Sequence, residues 1–294
     1  MASDIYLPHQ MRAALEAAHI IHLYGLAYIF GEPRSGKTRA ALLVAQQYER
    51  VLVFTPKQAI PGWVSEMLVT NIEVEVTNYE QAKNITGKFD LVIIDEAHNL
   101  GRVGKPTLRW KNIKSLVGNA KLLLLSGTPA VETPLSIWSQ LALSKHTPLS
   151  YLSFYDFFKD WGIPAPIFIN GRLIEQYKLA KPGLMEKIDH LFVRMSQAEA
   201  GIVYKAEDVI HTVMLNDDTK EEIASLIKTG LYEIAGETTP IESDIQERTT
   251  IHQFESGAIK LPDGEIKMLD NNEVIDYLMA TFGDEPDIAY MSHF

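Results

Sequence analysis

The sequence predicts an α/β fold: a parallel sheet with helices on both faces, followed by a smaller, irregular helical extension. Three observations carry that expectation. A glycine loop, Gly31-Glu32-Pro33-Arg34-Ser35-Gly36-Lys37-Thr38, sits between the apolar run Leu26–Phe30 and a helical pattern over Ala40–Ala45. Three more aliphatic-rich runs, Val51–Phe54, Leu91–Ile94 and Lys121–Leu125, alternate with helical patterns, as strands of a buried parallel sheet do. The polar motifs all follow the C-terminal ends of these runs, the edge at which such sheets bind ligands.

Taken in order, residues 5–22 read as an approach segment and a helix, with Leu7-Pro8-His9-Gln10 ahead of Met11, Ala14, Leu15, Ala18 and Ile21. The first strand then delivers the glycine loop. Backbone N–H groups of such a loop and the helix N-terminus after it form a concave nest of positive partial charge. Gly31, Pro33, Arg34, Ser35 and Gly36 would cradle phosphates, Lys37 would add a full charge for the β- and γ-phosphates, and the Thr38 hydroxyl would hold Mg²⁺. The bland alternative is a glycine turn with a solvated lysine; the strand before and the helix after favour a nucleoside-triphosphate site.

Val51–Phe54 stops at Thr55-Pro56-Lys57, and a helix follows around Trp63, Glu66 and Met67. Ile72–Val76 alternates like a half-exposed strand and ends at Thr77-Asn78-Tyr79-Glu80. Leu91–Ile94 brings Asp95-Glu96-Ala97-His98 to the sheet edge. Beside a phosphate loop, Asp95 is placed to hold the metal through water, and Glu96 to take a proton from the water attacking the γ-phosphate. His98 has no histidine or cysteine at ligand spacing, so a hydrogen-bonding role at this site is the better reading. Lys37, Asp95, Glu96 and His98 are the candidate catalytic residues, and Thr38 and Asp95 the candidate metal ligands. Ser126-Gly127-Thr128-Pro129, after the next strand, would couple the carboxylates to a partner surface.

From about 146 the pattern changes. Tyr151, Phe154, Tyr155, Phe157, Phe158 and Trp161 cluster, and read as core packing in preference to a base-stacking platform. Leu184–Phe192 reads as helix, 209–215 as extended, Glu221–Ile234 as helix, 236–264 as irregular and Glu273–Met279 as helix. The expected domains are a nucleotide-binding lobe over 1–145, a helical and aromatic extension packed on it over 146–215 and an acidic connection over 216–286, after which Asp287–Met291 reads as the start of a strand.

The 294 residues carry a net charge of −11, unevenly placed. Residues 216–294 hold 18 acidic and 5 basic side chains, whereas residues 1–215 are close to neutral. Residues 102–121 carry Arg102, Lys105, Arg109, Lys111, Lys114 and Lys121 with no acid among them. Such a stretch is usually a solvated helix face, and becomes a candidate for phosphate-backbone contact only beside other signs of nucleic acid. The absence of cysteine excludes disulfides and thiolate metal sites. No apolar run is long enough to span a bilayer, and Met1-Ala2-Ser3-Asp4 does not resemble a signal peptide. A cytoplasmic, monomeric protein of a bacterium or a phage-infected cell is expected.

These motifs, in this order, resemble those of the superfamily-2 helicases and translocases, and most of all the Swi/Snf-type DNA-dependent ATPases. Leu7–Gln10 looks like the adenine-reading Q segment, Gly31–Thr38 like motif I, and Val51–Lys57 with Pro61–Glu66 like motif Ia and its helix. Thr77–Glu80 resembles motif Ib, Phe89–Leu100 the DEAH-type motif II, Ser126–Pro129 motif III, and Ser136–Leu141 the helix after it. Leu191–Ser196 is similar to the segment that crosses toward the second lobe. The resemblance implies a RecA-like lobe in which Gln10 reads adenine, Thr55, Pro56, Lys57, Asn78 and Tyr79 touch DNA backbone, and Ser126, Gly127 and Thr128 couple hydrolysis to movement. It implies ATP and Mg²⁺ as cofactors and sequence-independent DNA binding. Pro33-Arg34-Ser35 departs from the loop usual in Swi/Snf-type proteins. Ile288–Phe294 looks like the first strand and motif IV of a second RecA-like lobe, after which the sequence stops. A chain without that lobe and its arginines is expected to bind ATP and hydrolyse it feebly. The leading reading is thus a DNA-stimulated translocase or helicase-like motor. A non-hydrolysing, nucleotide-dependent binding module is the alternative; a small-molecule kinase leaves Thr55–Lys57 and Ser126–Pro129 unexplained.

Overall fold

The apolar runs fold as strands of one six-stranded parallel sheet, in the order β10-β1-β5-β4-β2-β3. The computed structural model describes residues 5–130, 133–169, 172–202, 209–234, 237–240, 244–260 and 265–283. The strands are β1 (Leu26–Gly31), β2 (Val51–Thr55), β3 (Glu75–Asn78), β4 (Leu91–Ile94), β5 (Lys121–Ser126) and β10 (Phe192–Met195). Between the last two lie the antiparallel pairs β6 (Gly162–Ile163) with β9 (Leu179–Ala180), and β7 (Pro166–Ile169) with β8 (Arg172–Glu175).

The period-2 geometry of each strand splits its side chains between two cores. Ala27, Ile29, Val51, Val53, Leu91, Ile93, Leu123 and Leu125 face one side. There they meet Ala13, Ala14, Ala17 and Ile21 of α1 (Pro8–Tyr24), Ala40, Ala41 and Val44 of α2 (Lys37–Ala45), and Trp63 of α3 (Ile60–Thr70). The small residues of α1 and α2 let both helices lie close over the strands. Leu26, Tyr28, Leu52, Phe54, Val92, Ile94, Leu122 and Leu124 face the other side. They pack on Trp110, Ile113 and Val117 of α4 (Leu108–Val117), Ile137, Trp138 and Leu141 of α5 (Ile137–Leu141), and Phe154 and Phe157 of α6 (Phe154–Trp161). Leu184 and Ile188 of α7 (Leu184–Ile188) complete that core. Trp138 lies 5.9 Å from Phe154 and 6.1 Å from Phe157, ring centre to ring centre, so these two rings are core; Tyr151, Phe158 and Trp161 pack half-buried against it, and Tyr155 is exposed.

Two features differ from the reading of the sequence. Phe192–Met195, within the segment read as leading toward a second lobe, is itself a strand of the sheet: it pairs in parallel with β1, Tyr28 opposite Phe192 and Gly31 opposite Met195. The lobe's sheet therefore draws its edge strand from beyond residue 145. The chain divides into two compact units, 1–205 and 206–294. In the second, α8 (Asp217–Thr229) stops at Gly230, whose φ of 67° ends the helix expected to run to Ile234. Leu231–Ile234 turns back as β11 against β12 (Glu237–Pro240). The stretch expected to be irregular contains α9 (Asp244–Glu255) and β13 (Ala258–Lys260), which pairs with β14 (Ile266–Met268) ahead of α10 (Glu273–Phe282). Leu226, Tyr232, Phe254 and Ile259 form this unit's own small core. Residues 287–294, read as the start of a second lobe, lie outside the described residues. No helix among the described residues is long and apolar enough to cross a membrane.

Candidate nucleotide site

Strand β1 ends at Gly31, and the chain turns through Glu32–Ser35 into α2. Gly36 holds a left-handed φ of 84°, which glycine adopts without strain. Gly31 lacks room for a side chain: a Cβ would lie 2.7 Å from Lys37 Cγ and 2.8 Å from Ser35 Oγ. Lys37 Nζ donates to the carbonyls of Gly31 at 2.8 Å and Glu32 at 3.2 Å. Burial lowers the lysine pKa, while the charges of Glu96 and Asp95 act to raise it. The cation is thus already within the field of both carboxylates.

The loop is gripped from both sides. On one side, His9 Nε2 meets the Ser35 carbonyl at 2.9 Å; a carbonyl only accepts, so this nitrogen carries the proton. Gln10, 4 % exposed, accepts from the Leu7 N–H at 3.0 Å, and its amide nitrogen lies over Gly36, where a Cβ would come within 2.1 Å of it. The expected adenine reader is therefore packed against the phosphate loop. On the other side, Glu32 N–H donates to Met195 O at 3.0 Å. Gln197 donates its backbone N–H to Glu32 Oε2 at 2.6 Å and its side-chain amide to Pro33 O at 3.0 Å.

Asp95 follows β4 and is 7 % exposed. Its Oδ2 accepts from the Thr55 hydroxyl and from Trp63 Nε1, each at 2.8 Å, and its Oδ1 from Glu96 N–H at 3.0 Å. The carboxylate is held in one orientation by three donors. Glu96 sits at a left-handed φ of 50°, unusual for a residue with a Cβ. Burial first, and the Asp95 charge second, push its carboxyl pKa up, against Lys37 and His98. His98 Nδ1 lies 3.3 Å from Glu96 Oε2 and 2.8 Å from Ser126 Oγ, which accepts from Thr128 N–H at 2.9 Å.

A buried polar network continues from there. Tyr28 donates to Gln140 Oε1 at 2.7 Å, and Gln140 Nε2 donates to Pro129 O at 2.7 Å. Next along α5, Ser139 accepts from Arg102 N–H at 2.7 Å and donates to Leu100 O at 2.9 Å. One turn of helix thereby fastens the loops after both β4 and β5. Gly127 approaches the phosphate loop closely, since a Cβ there would lie 3.3 Å from Gly31 O.

The residues expected to touch DNA separate into two groups. Lys57 is exposed, Pro56 and Asn78 are half-buried, and Asn78 accepts from Gln81 N–H at 3.1 Å. Thr55 and Tyr79 are corrections. Thr55 is fully buried with its hydroxyl on Asp95. Tyr79 is 3 % exposed, stacked on Phe54, with its hydroxyl on the Asp95 carbonyl. Both support the carboxylate from behind and present nothing to a ligand. Trp63, His9, Gln140 and Gln197 join the site only through the fold; an aromatic at helical spacing and isolated amides carry no local signal of such contacts.

Residues 63–131, from that indole through the carboxylates to the loop after β5, match the family model described as "Type III restriction enzyme, res subunit". Over 156 residues the chain is 30 % identical to the SWI/SNF-related matrix-associated actin-dependent regulator of chromatin subfamily A-like protein 1 of Xenopus tropicalis, covering 44 % of this chain and 16 % of that one. The Xenopus laevis protein of that name matches at 30 % over 156 residues, covering 44 % and 15 %. The "Uncharacterized ATP-dependent helicase YqhH" of Bacillus subtilis is 27 % identical over 167 residues, 47 % of this chain and 29 % of that one. By these matches the chain is similar to helicase-type proteins of the superfamily-2, Swi/Snf-like kind. The chain spans about a sixth of the length of the Xenopus relatives it matches, and under a third of the Bacillus one.

Proposed function

We propose that this chain is the nucleotide-binding lobe of an ATPase that is stimulated by DNA and uses hydrolysis to move on, or remodel, duplex or branched DNA. The observation that carries the reading is the placement of Lys37 within the field of Asp95 and Glu96, with Asp95 fixed by three donors. A P-loop lysine and a strand-end carboxylate pair are the parts that phosphoryl transfer to water requires.

In this reading the triphosphate lies across Gly31–Thr38. Lys37 exchanges the Gly31 and Glu32 carbonyls for β- and γ-phosphate oxygens. Glu96 accepts the proton of the attacking water, and a carboxylate with a raised pKa is a stronger base for that step. A threonine hydroxyl and an oriented carboxylate suit Mg²⁺, which in such sites is held mainly by phosphate and water. Thr38 and Asp95 would hold the ion, which would neutralise phosphate charge. His98, Ser126 and Thr128 form the hydrogen-bonded route from Glu96 to the loop after β5, the route by which hydrolysis would be felt elsewhere. A second RecA-like lobe meeting this site would supply arginines worth roughly 10³–10⁵ in rate.

The test is single-turnover hydrolysis of labelled MgATP, enzyme in excess, with and without duplex DNA. Duplex should raise the rate, Glu96→Gln should abolish hydrolysis while retaining ATP binding, and Lys37→Ala should lose binding. ATP-dependent DNA binding with no turnover under any condition would instead assign a nucleotide-dependent binding module. Failure to bind ATP would overturn both.

A further inference from the structure

We infer that the loop after the paired carboxylates and the first two turns of α4 form a second contact surface for the backbone of duplex DNA, apart from Lys57 and Asn78 at the strand ends. This rests on the DNA reading above and assigns it a further set of residues.

The surface consists of Arg102, Lys105, Lys111 and Lys114, all exposed. None of the four forms an ion pair with a described carboxylate. Arg109, in their midst, is already engaged: it pairs with Glu80 at 3.3 Å, donates to Asn99 O at 3.4 Å and lies over the Tyr79 ring at 5.6 Å. It locks the start of α4 against the turn after β3. Glu80 is thus the neighbouring acid, and it is spent on Arg109. Lys114 is propped over the Trp110 ring at 4.9 Å.

Electrostatics make this arrangement unfavourable in the isolated protein. A helix N-terminus favours acidic side chains in its first turn, and α4 has none there, only Arg109. No Asp or Glu lies anywhere in residues 102–121 to screen the six cations, in a chain whose net charge is −11. An anion laid along the surface would relieve that repulsion. Arg102, Thr107, Arg109, Trp110 and Ser139 line a cavity of about 270 Å³ that opens between the loop and the helix. Arg102 and Lys105 precede the helix, and Lys111 and Lys114 follow one turn apart along it, a rise of about 4.5 Å, so the cations are strung out rather than gathered at a point. A line suits a repeating polyanion, and duplex DNA presents one charge per ~1.7 Å of axis.

The position would make such contact informative to the site. Arg102 is held through its backbone by Ser139, which also bonds Leu100, two residues beyond His98. Backbone pressure on Arg102 would therefore be felt in the segment that carries Glu96.

The test is fluorescence anisotropy of a labelled duplex of about 25 base pairs (longer than the ~10-base-pair turn of the helix), titrated across roughly 50 to 200 mM salt. Wild type is compared with Arg102→Ala/Lys105→Ala/Lys111→Ala and with an equal removal of charge elsewhere, Lys178→Ala/Lys181→Ala/Lys187→Ala. Each phosphate that is no longer neutralised should lower the slope of log K against log salt by about 0.9. The first variant should therefore flatten the slope by about 1.8–2.7, keep ATP affinity and melt no lower than wild type, while the control should keep the wild-type slope. Equal slopes for both variants would overturn the inference alone. No duplex binding by wild type at the lowest salt would overturn the DNA reading itself. A variant that loses polyglutamate binding yet keeps the duplex slope would reassign the surface to an acidic protein partner.

Discussion

Trp63 donates its indole N–H to the same oxygen of Asp95 that accepts the Thr55 hydroxyl, both at 2.8 Å. Strand β2 and helix α3 thereby act on this carboxylate from behind, and that oxygen's orientation depends on two buried residues.

Removing either donor leaves a buried carboxylate under-satisfied. Trp63→Phe should destabilise the protein by about 1.5–3 kcal/mol, the range for hydrogen bonds to charged groups, and weaken Mg²⁺-dependent ATP binding. Thr55→Val should act in the same direction. Denaturant unfolding of the two single variants and the double variant should show non-additivity, because the donors share one acceptor. Strict additivity with unchanged ATP affinity would remove Asp95 orientation as their role.

Gly36→Ala meets two obstacles. The φ of 84° is left-handed, costing about 1–2 kcal/mol for a residue with a Cβ, and the new Cβ would fall on Gln10 Nε2. ATP affinity and melting temperature should both drop. Adding Gln10→Ala should restore part of the stability, since it clears the overlap but not the φ strain; calorimetry on the three variants separates the two effects.

The raised pKa of Glu96 has a sign that can be tested. The folded protein keeps this proton to higher pH than the unfolded chain, so stability falls as pH rises from the unfolded value through the folded one, and stays lower above it. Glu96→Gln cannot ionise and escapes that loss. It should melt above wild type at neutral pH, with the gap closing as pH drops below the ordinary glutamate range. The acid limb of the wild-type hydrolysis profile should also lie above that range. A variant that melts lower at neutral pH would contradict the assignment.

Tyr28 and Gln140 are both fully buried and satisfy one another. Gln140→Leu removes the acceptor of the Tyr28 hydroxyl and leaves the Pro129 carbonyl without its amide donor, at about 1–3 kcal/mol for a buried group left unpaired. Tyr28→Phe orphans only one amide oxygen. In urea unfolding, the double variant should be less destabilised than the sum of the two.

Much of the fold was legible because its signals are local. Leu26–Phe30, Val51–Phe54, Leu91–Ile94 and Lys121–Leu125 are aliphatic-rich strands bounded by turn residues, and Gly31–Thr38 and Asp95–Glu96 occupy contiguous positions at strand ends. What escaped reading depends on distant partners: Trp63 meets Asp95 across 32 residues, Tyr28 meets Gln140 across 112, and Gln197 meets Glu32 across 165. Only the family resemblance assigns Thr55 and Tyr79 to DNA, and their hydroxyls turn inward to Asp95. Helix α9 escaped because Arg248-Thr249-Thr250-Ile251-His252 mixes β-branched and polar residues without a clear apolar stripe.

The pairing of β10 with β1 decides how this lobe can be cut. A piece ended at residue 145 would leave the strand that carries the phosphate loop with a bare row of backbone donors and acceptors, open to pairing with another molecule. It would also lack Gln197, and with it one of the two grips on Glu32 and Pro33. The smallest portion able to fold without aggregating and still present an ordered loop must therefore reach at least Glu199, which ties Arg12 to the far end of the same turn.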